Sequence, residues 1–227
     1  MFTIGHGRPV SLAFVVESLS RVIPPERIKE ALAKVDSGQR RRIRRVSPTG
    51  TVWLVACIGL FGDLDVPSIW RQVVGTYNTL IGVLHGVKPV TKSALSQARQ
   101  RLGARVMRVL FRMRAKPIAV QRKPAQTAEP PSGDRELGSA YYRGMRVVAI
   151  DTQKMLMPDT PENGKAFGRH STTRNGQTEE GAYPQLSLTQ LVEVGTHISL
   201  EALIKPACHS ERAVAGALLK KSRPAPF

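Results

Sequence analysis

Residues 145–167 read MRVVAIDTQKMLMPDTPENGKAF. Val147, Val148, Ala149 and Ile150 make a short apolar run of the kind that forms a central strand buried on both faces. The run ends on a carboxylate, Asp151. An acid at the end of a buried strand is costly unless a metal, an arginine or backbone donors pair with it. Thr152 to Asp159 then reads as a return strand, closed by the turn cluster PDTPENG at residues 158–164. From these residues alone Asp151 has two open roles. It caps a turn or pairs with an arginine, or it is a metal-binding carboxylate on the first strand of a nucleotidyl-transfer domain.

The charge outside this stretch favours an anionic partner. The chain of 227 residues carries 34 Lys+Arg against 17 Asp+Glu, a net charge of +17. A balance this basic points to a polyanion such as nucleic acid. The charge is also uneven. Residues 1–144 hold 24 basic and 9 acidic residues, whereas residues 145–227 hold 10 and 8. That split predicts two domains with different tasks, and the length allows either one large domain or two small ones.

Working back toward the N-terminus, residues 115–138 contain Lys116-Pro117, Arg122-Lys123-Pro124 and Glu129-Pro130-Pro131. This composition is that of a linker. The organisation expected is residues 1–116 as a helical, basic domain, 117–140 as linker, and 141–227 as a domain of strands. In the first of these, residues 92–102 place Leu95, Ala98 and Leu102 on one helical stripe, continued by Val106, Val109 and Met113. Lys92, Ser93, Ser96, Gln97, Gln100 and Arg101 lie off the stripe. Such side chains reach base edges and phosphates, so this is the candidate recognition helix. Gly103 predicts a break, after which Arg105, Arg108, Arg112 and Arg114 decorate a second helix. A basic, solvated face on an ordinary bundle is the alternative reading.

Upstream, Arg40, Arg41, Arg42, Arg44 and Arg45 put five arginines in six positions. They read as phosphate-backbone contacts, which supply affinity without sequence choice. Residues 26–35 fit a short helix, residues 52–61 a buried one, and residues 68–74 a third that Gly75 ends. Trp70 is expected in the core, and residues 1–12 read as a loose arm. Beyond the opening stretch, residues 167–181 read as a mobile loop, 183–194 and 197–205 as strands, and 211–221 as a helix. Cys57 and Cys208 are far apart, with no CxxC and no histidine at ligand spacing, and read as thiols of a reducing cytoplasm. The N-terminus lacks the pattern of a signal peptide. The longest apolar run, residues 51–61, is too short to span a bilayer, so no membrane partner is expected.

Three segments together resemble the insertion-element-four (IS-four) family of DDE transposases. They are residues 31–64 with VWLVACIGLFGDL, residues 92–111 (KSALSQARQRLGARVMRVLF), and residues 145–195, where AIDTQKMLMPDTPEN, AFGR and YPQLSLTQLVEVGTH follow in family order. The resemblance covers most of residues 19–219. It implies a helical DNA-binding domain followed by a ribonuclease-H-like α/β domain, hence an α+β chain. It also implies cut-and-paste DNA transposition by a nucleoid-associated bacterial protein. The partner implied is double-stranded DNA at the terminal inverted repeats, bound by a homodimer or by a mixed oligomer with intact transposase. In such enzymes three carboxylates hold two Mg²⁺ ions for an in-line phosphodiester attack, and Asp151 would correspond to the first catalytic, metal-binding aspartate.

The departures matter too. Thr152 stands where the family usually has glycine, and neither the Asp-Arg-containing motif nor the Tyr-Arg-Glu-Lys signature occurs in these residues. Glu193, Glu201 and Glu211 do not sit in matching motifs. The expectation is therefore a truncated catalytic domain, incomplete in its fold and unable to catalyse alone. The alternatives are a DNA-binding module that occupies element ends or inhibits intact transposase, and a basic bundle that binds RNA.

Overall fold

The computed structural model describes residues 2–4, 8–10, 12–35, 46–81, 90–120 and 140–222. Two compact units divide the chain, Met1–Met113 and Arg114–Phe227. The first is mainly helical and the second is built on antiparallel strands, so the α+β class holds.

In the first unit β1 (Phe2–Ile4) and β2 (Arg8–Val10) pair antiparallel, where the sequence predicts a loose arm. Helices α1 (Leu12–Val22), α2 (Pro25–Val35), α3 (Pro48–Leu60), α4 (Val66–Ile81) and α5 (Lys92–Arg114) follow. Proline opens α2 and α3, where its fixed φ suits the first turn and its missing N–H costs nothing. Ser47 caps α3 by accepting from the Gly50 N–H at 3.1 Å. This helix is apolar nearly all round and buries Val52, Trp53, Leu54 and Cys57, as a helix at the centre of a bundle must. Burial pushes the Cys57 thiol up to about 11. Gly50 lets Trp70 of α4 approach closely: a Cβ there would meet the indole at 3.1 Å.

Helix α4 begins where Asp65 accepts from the Ser68 N–H at 3.2 Å. The Ser68 side chain, more than its backbone, holds the Asp65 carboxyl below its usual range. The helix does not stop at Gly75 as the sequence suggested but runs on to Ile81. A mid-helix glycine costs about 1 kcal/mol, less than the burial of Ile69, Val73 and Val74 on the same helix returns. Among the described residues, no helix is long and apolar enough to cross a membrane.

The second unit starts with a tight hairpin, β3 (Tyr141–Tyr142) and β4 (Met145–Arg146). Then come β5 (Val148–Leu156), α6 (Pro161–Phe167), β6 (Arg169–Arg174), β7 (Gln177–Glu193), β8 (Ile198–Pro206) and α7 (Glu211–Ser222). The long β7 is the spine. Its first half pairs with β6, and its second half lies between β5 and β8, all antiparallel. Helix α7 packs on β7 and β8 and buries Val214 and Leu218.

Several expectations for this half are overturned by the structure. The apolar run at residues 147–150 does not form a strand buried on both faces. Among the described residues β5 pairs on one edge, and Val148, Met155 and Leu156 are exposed. Asp151 does not end that strand, because β5 carries on through it to Leu156, and no return strand follows. The cluster at 158–164 instead starts α6, with Thr160 accepting from the Asn163 N–H at 3.2 Å and proline in the first turn. The polar segment 167–181 is likewise not a loop. It is the β6–β7 hairpin, turned by Asn175 and Gly176 at φ 52° and 80°. Asn-Gly suits such a left-handed two-residue turn, because neither residue pays a heavy steric penalty there.

Candidate nucleic-acid interface and carboxylate site

The candidate recognition helix takes shape locally. Thr91 accepts from the Ala94 N–H at 3.2 Å and starts α5. Leu95, Ala98, Val106 and Leu110 enter the core of the first unit, with Leu102, Val109 and Met113 packed against it half-buried. That packing turns Lys92, Ser93, Gln97, Gln100 and Arg101 outward, while Ser96 is half-buried. Gln97 donates to the Ser93 hydroxyl at 3.4 Å, a weak bond that leaves the amide available. The exposed row thus offers both amide and guanidinium donors.

Gly103 breaks the helix at φ 66°, ψ 169°, a conformation reserved for glycine. Arg105, Arg108 and Arg112 stand exposed on the segment beyond it. No atom lies within 4 Å of where a Cβ at Gly103 would sit, so the constraint there is conformational rather than steric. Gly103→Ala should therefore cost about 1–3 kcal/mol, or drive residues 92–114 toward one continuous helix that re-aims Arg105. Thermal unfolding and circular dichroism check this; an unchanged melting temperature and helix content would refute it. Arg40, Arg41, Arg42, Arg44 and Arg45 lie outside the described residues.

Asp151 is on the other unit. It is exposed, opposite Gln190 of β7, which is in turn opposite Ala202 of β8. Strand alternation puts Asp151, Gln190 and Ala202 on one face, and Ile150, Thr152, Thr189 and Leu191 on the other. Thr189 and Leu191 are buried, whereas the Asp151 face has Ala149, Gln153, Met155 and Ile204 open to solvent. One Asp151 oxygen accepts from the Thr152 N–H at 2.8 Å. Beside it, Ser199 donates to the Gln190 amide oxygen at 2.5 Å. Glu201 pairs with Leu191 in register and so belongs to the other face. Among the described residues, no three His, Cys, Asp or Glu side chains gather as a metal site. A single exposed carboxylate suits one hard cation whose other ligands are water and phosphate oxygens. The described residues do not assemble a pair of ions.

Two features escaped the sequence reading. One is Glu193, whose side chain is 0% exposed. Its carboxylate accepts from the N–H groups of Ile118 (3.2 Å) and Ala119 (3.0 Å), from the Thr196 hydroxyl (2.6 Å) and from Arg146. Arg146 also donates to the Ala119 carbonyl at 3.3 Å, as does the Tyr141 hydroxyl at 3.2 Å. The second is the tip of the β3–β4 hairpin, where Arg143 (φ 48°) and Gly144 (φ 80°) form a left-handed turn. Arg-Gly is a weak turn signal, and the partners of Glu193 are remote in sequence. Only the Tyr-Tyr pair just before the turn could have marked the hairpin.

Residues 14–112 match the family model described as insertion element 4 transposase N-terminal. InsZ of Escherichia coli (strain K12), which carries a transposase name, is 33% identical over 134 residues, 59% of this chain and 39% of its own length. The transposase InsG for insertion sequence element IS4, from the same strain, is 30% identical over 213 residues, 93% of this chain and 42% of its own length. The chain thus spans about two fifths of each curated relative. No solved structure gives a significant match.

Proposed function

Because this chain resembles the transposases of insertion element 4 in its helical unit and through most of its length, we propose that it acts in DNA transposition, by binding the ends of its insertion element. The observation that carries this reading is the exposed row of Lys92, Ser93, Gln97, Gln100 and Arg101, fixed by the burial of Leu95 and Ala98 behind it. Amides and guanidinium groups on one helix face can pair bidentately with adenine and guanine edges in a major groove. Arg105, Arg108 and Arg112 beyond the Gly103 break lie where phosphates could be neutralised. The arginine run at residues 40–45 adds further charge for backbone contacts.

In this reading the second unit contributes one carboxylate to phosphoryl transfer, not a complete two-ion site among the described residues. Ribonuclease-H-like phosphoryl transfer needs carboxylates that hold Mg²⁺, which activates the attacking oxygen and stabilises the leaving one. Asp151 is the residue we assign to that set. It is solvent-accessible, as are Ala149 and Gln153 beside it on the same face. Gln190 and Ser199 beside it can hydrogen-bond a phosphate or a bound water. Since α5 and Asp151 belong to separate compact units, end binding need not depend on catalysis. A chain that occupies the ends without cutting them would act as an inhibitor of active transposase.

The test measures fluorescence anisotropy with the element's terminal repeats and with random duplex, at one fixed salt concentration. The expected result is tighter binding to the ends by about a thousandfold. Gln100→Ala should cost about 1–3 kcal/mol on the repeat alone, and Arg108→Gln should lower the salt slope by about 1 on both duplexes. Equal affinity for the two duplexes would sink the reading. Strand cleavage in Mg²⁺ is assayed separately, and Asp151→Asn must abolish any cleavage while leaving end binding intact.

A further inference from the structure

We propose that the β3–β4 hairpin is a second DNA contact, in which Tyr142 and Arg143 stack on an unpaired base near the cleaved end; this rests on DNA being the partner. The two-stranded ribbon has two unlike faces. Tyr141 and Arg146 are register partners on one face, with the guanidinium 4.9 Å from the ring centroid. Both are fastened inward, to the Ala119 carbonyl and the buried Glu193 carboxylate. The Val147 N–H also donates to the Ala140 carbonyl at 2.8 Å, closing the base of the hairpin. The frame is therefore fixed to the unit.

The other face is left in solvent. Tyr142 and Met145, also register partners, are 60% and 64% exposed. Packing against the unit does not account for two large apolar side chains side by side at a hairpin tip. Arg143 lies over the Tyr142 ring with its guanidinium 5.4 Å from the centroid. It holds a left-handed backbone conformation that side-chain-bearing residues rarely adopt. The turn has no acidic residue in Tyr141–Arg146 to oppose an anion. A tyrosine with an arginine beside it is the pair that unpaired nucleic acid uses, the ring for the base face and the cation for stacking and phosphate.

Position supports the same ligand. Val147 joins β4 to β5, its N–H donating to the Ala140 carbonyl and its own carbonyl accepting from the Val194 N–H. Met145 is six residues before Asp151, so it lies at most roughly 20 Å away at the rise of a strand. That is roughly six base steps of duplex at 3.4 Å each. A strand end held near Asp151 would bring its frayed neighbours within reach of Tyr142.

The experiment compares an element-end duplex carrying a short unpaired overhang, with 2-aminopurine in the overhang, against the same duplex left blunt. The full chain and the variants Tyr142→Ala and Tyr142→Phe are titrated. The expected result is quenching of 2-aminopurine by the natural chain and Tyr142→Phe. Tyr142→Ala should lose the quenching and bind the overhang about tenfold more weakly, with blunt-duplex affinity unchanged. Unaltered quenching by Tyr142→Ala would overturn the proposal while leaving end binding standing. Failure of the natural chain to bind either duplex would instead overturn the DNA-binding reading. Light scattering of the natural chain and Tyr142→Ala adds a third outcome: a dimer that the substitution dissolves would assign the hairpin to self-association and overturn the proposal.

Discussion

Replacing Arg146 with methionine will destabilise the second unit by about 3–5 kcal/mol, toward the low end of that range, because it strands the Glu193 carboxylate in the interior. Glu193 has no exposure, and its carboxylate holds together three segments: residues 118–119, Arg146 of β4 and Thr196 after β7. Backbone N–H groups and a hydroxyl would still solvate the anion, but the cation that pairs with it among the described residues is lost. Arg146 is itself 29% exposed, so water screens part of its attraction and moderates the loss. Glu193→Gln should cost less, since the amide oxygen still accepts from Ala119 while the charge disappears. Both tryptophans, Trp53 and Trp70, are in the first unit. Indole fluorescence therefore follows that unit, while far-ultraviolet circular dichroism follows both. Urea titration of Arg146→Met should shift the dichroism transition and leave the fluorescence midpoint in place. A shift of less than about 1 kcal/mol would mean that the carboxylate is well solvated without its arginine.

Trp53→Ala should cost the first unit about 3–5 kcal/mol. Trp53 is 1% exposed on the central helix α3, and its indole N–H donates to the Ile23 carbonyl at 3.2 Å, between α1 and α2. Truncation therefore opens a cavity and leaves a carbonyl without its donor. Trp53→Phe fills most of the volume and isolates the hydrogen-bond part, which should be about 1–2 kcal/mol. Guanidinium unfolding followed through Trp70 measures both. If alanine and phenylalanine cost the same, the cavity contributes nothing and the packing argument fails.

The helical half was legible because its signals are local. Pro25 and Gly103 mark helix boundaries by backbone chemistry alone, and the stripe through Leu95, Ala98 and Val106 is a period that one helix determines. Ser47-Pro48 carried the same kind of signal and places the start of α3 four residues before the apolar run at Val52. The strand half was harder. Val147 to Ile150 is as apolar as a buried strand, yet burial depends on what pairs and packs with it, which the run itself does not encode. Asn175-Gly176 was readable as a hairpin turn, but the polar residues around it imitate a loop. Glu193 looks like any strand acid, because its partners at Ile118, Ala119 and Arg146 come from distant parts of the chain. Asp151 is singled out by the motif around it, whereas its position within β5 comes only with the register.

The central place of β7 has a consequence for how the chain is made. The core of the first unit lies wholly within residues 16–110, so a nascent chain can complete that packing early. In contrast, β5 leaves the ribosome well before the part of β7 that pairs with it, since Val148 waits for Glu193 and Leu156 for Gln185. Closing that gap is non-local and slow compared with helix packing. Through that interval Val148, Met155 and Leu156 form an unpaired, apolar ribbon, the kind of segment that chaperones hold and that aggregates when they do not. Synthesis thus makes β5, which carries Asp151, a vulnerable stretch of the newborn protein.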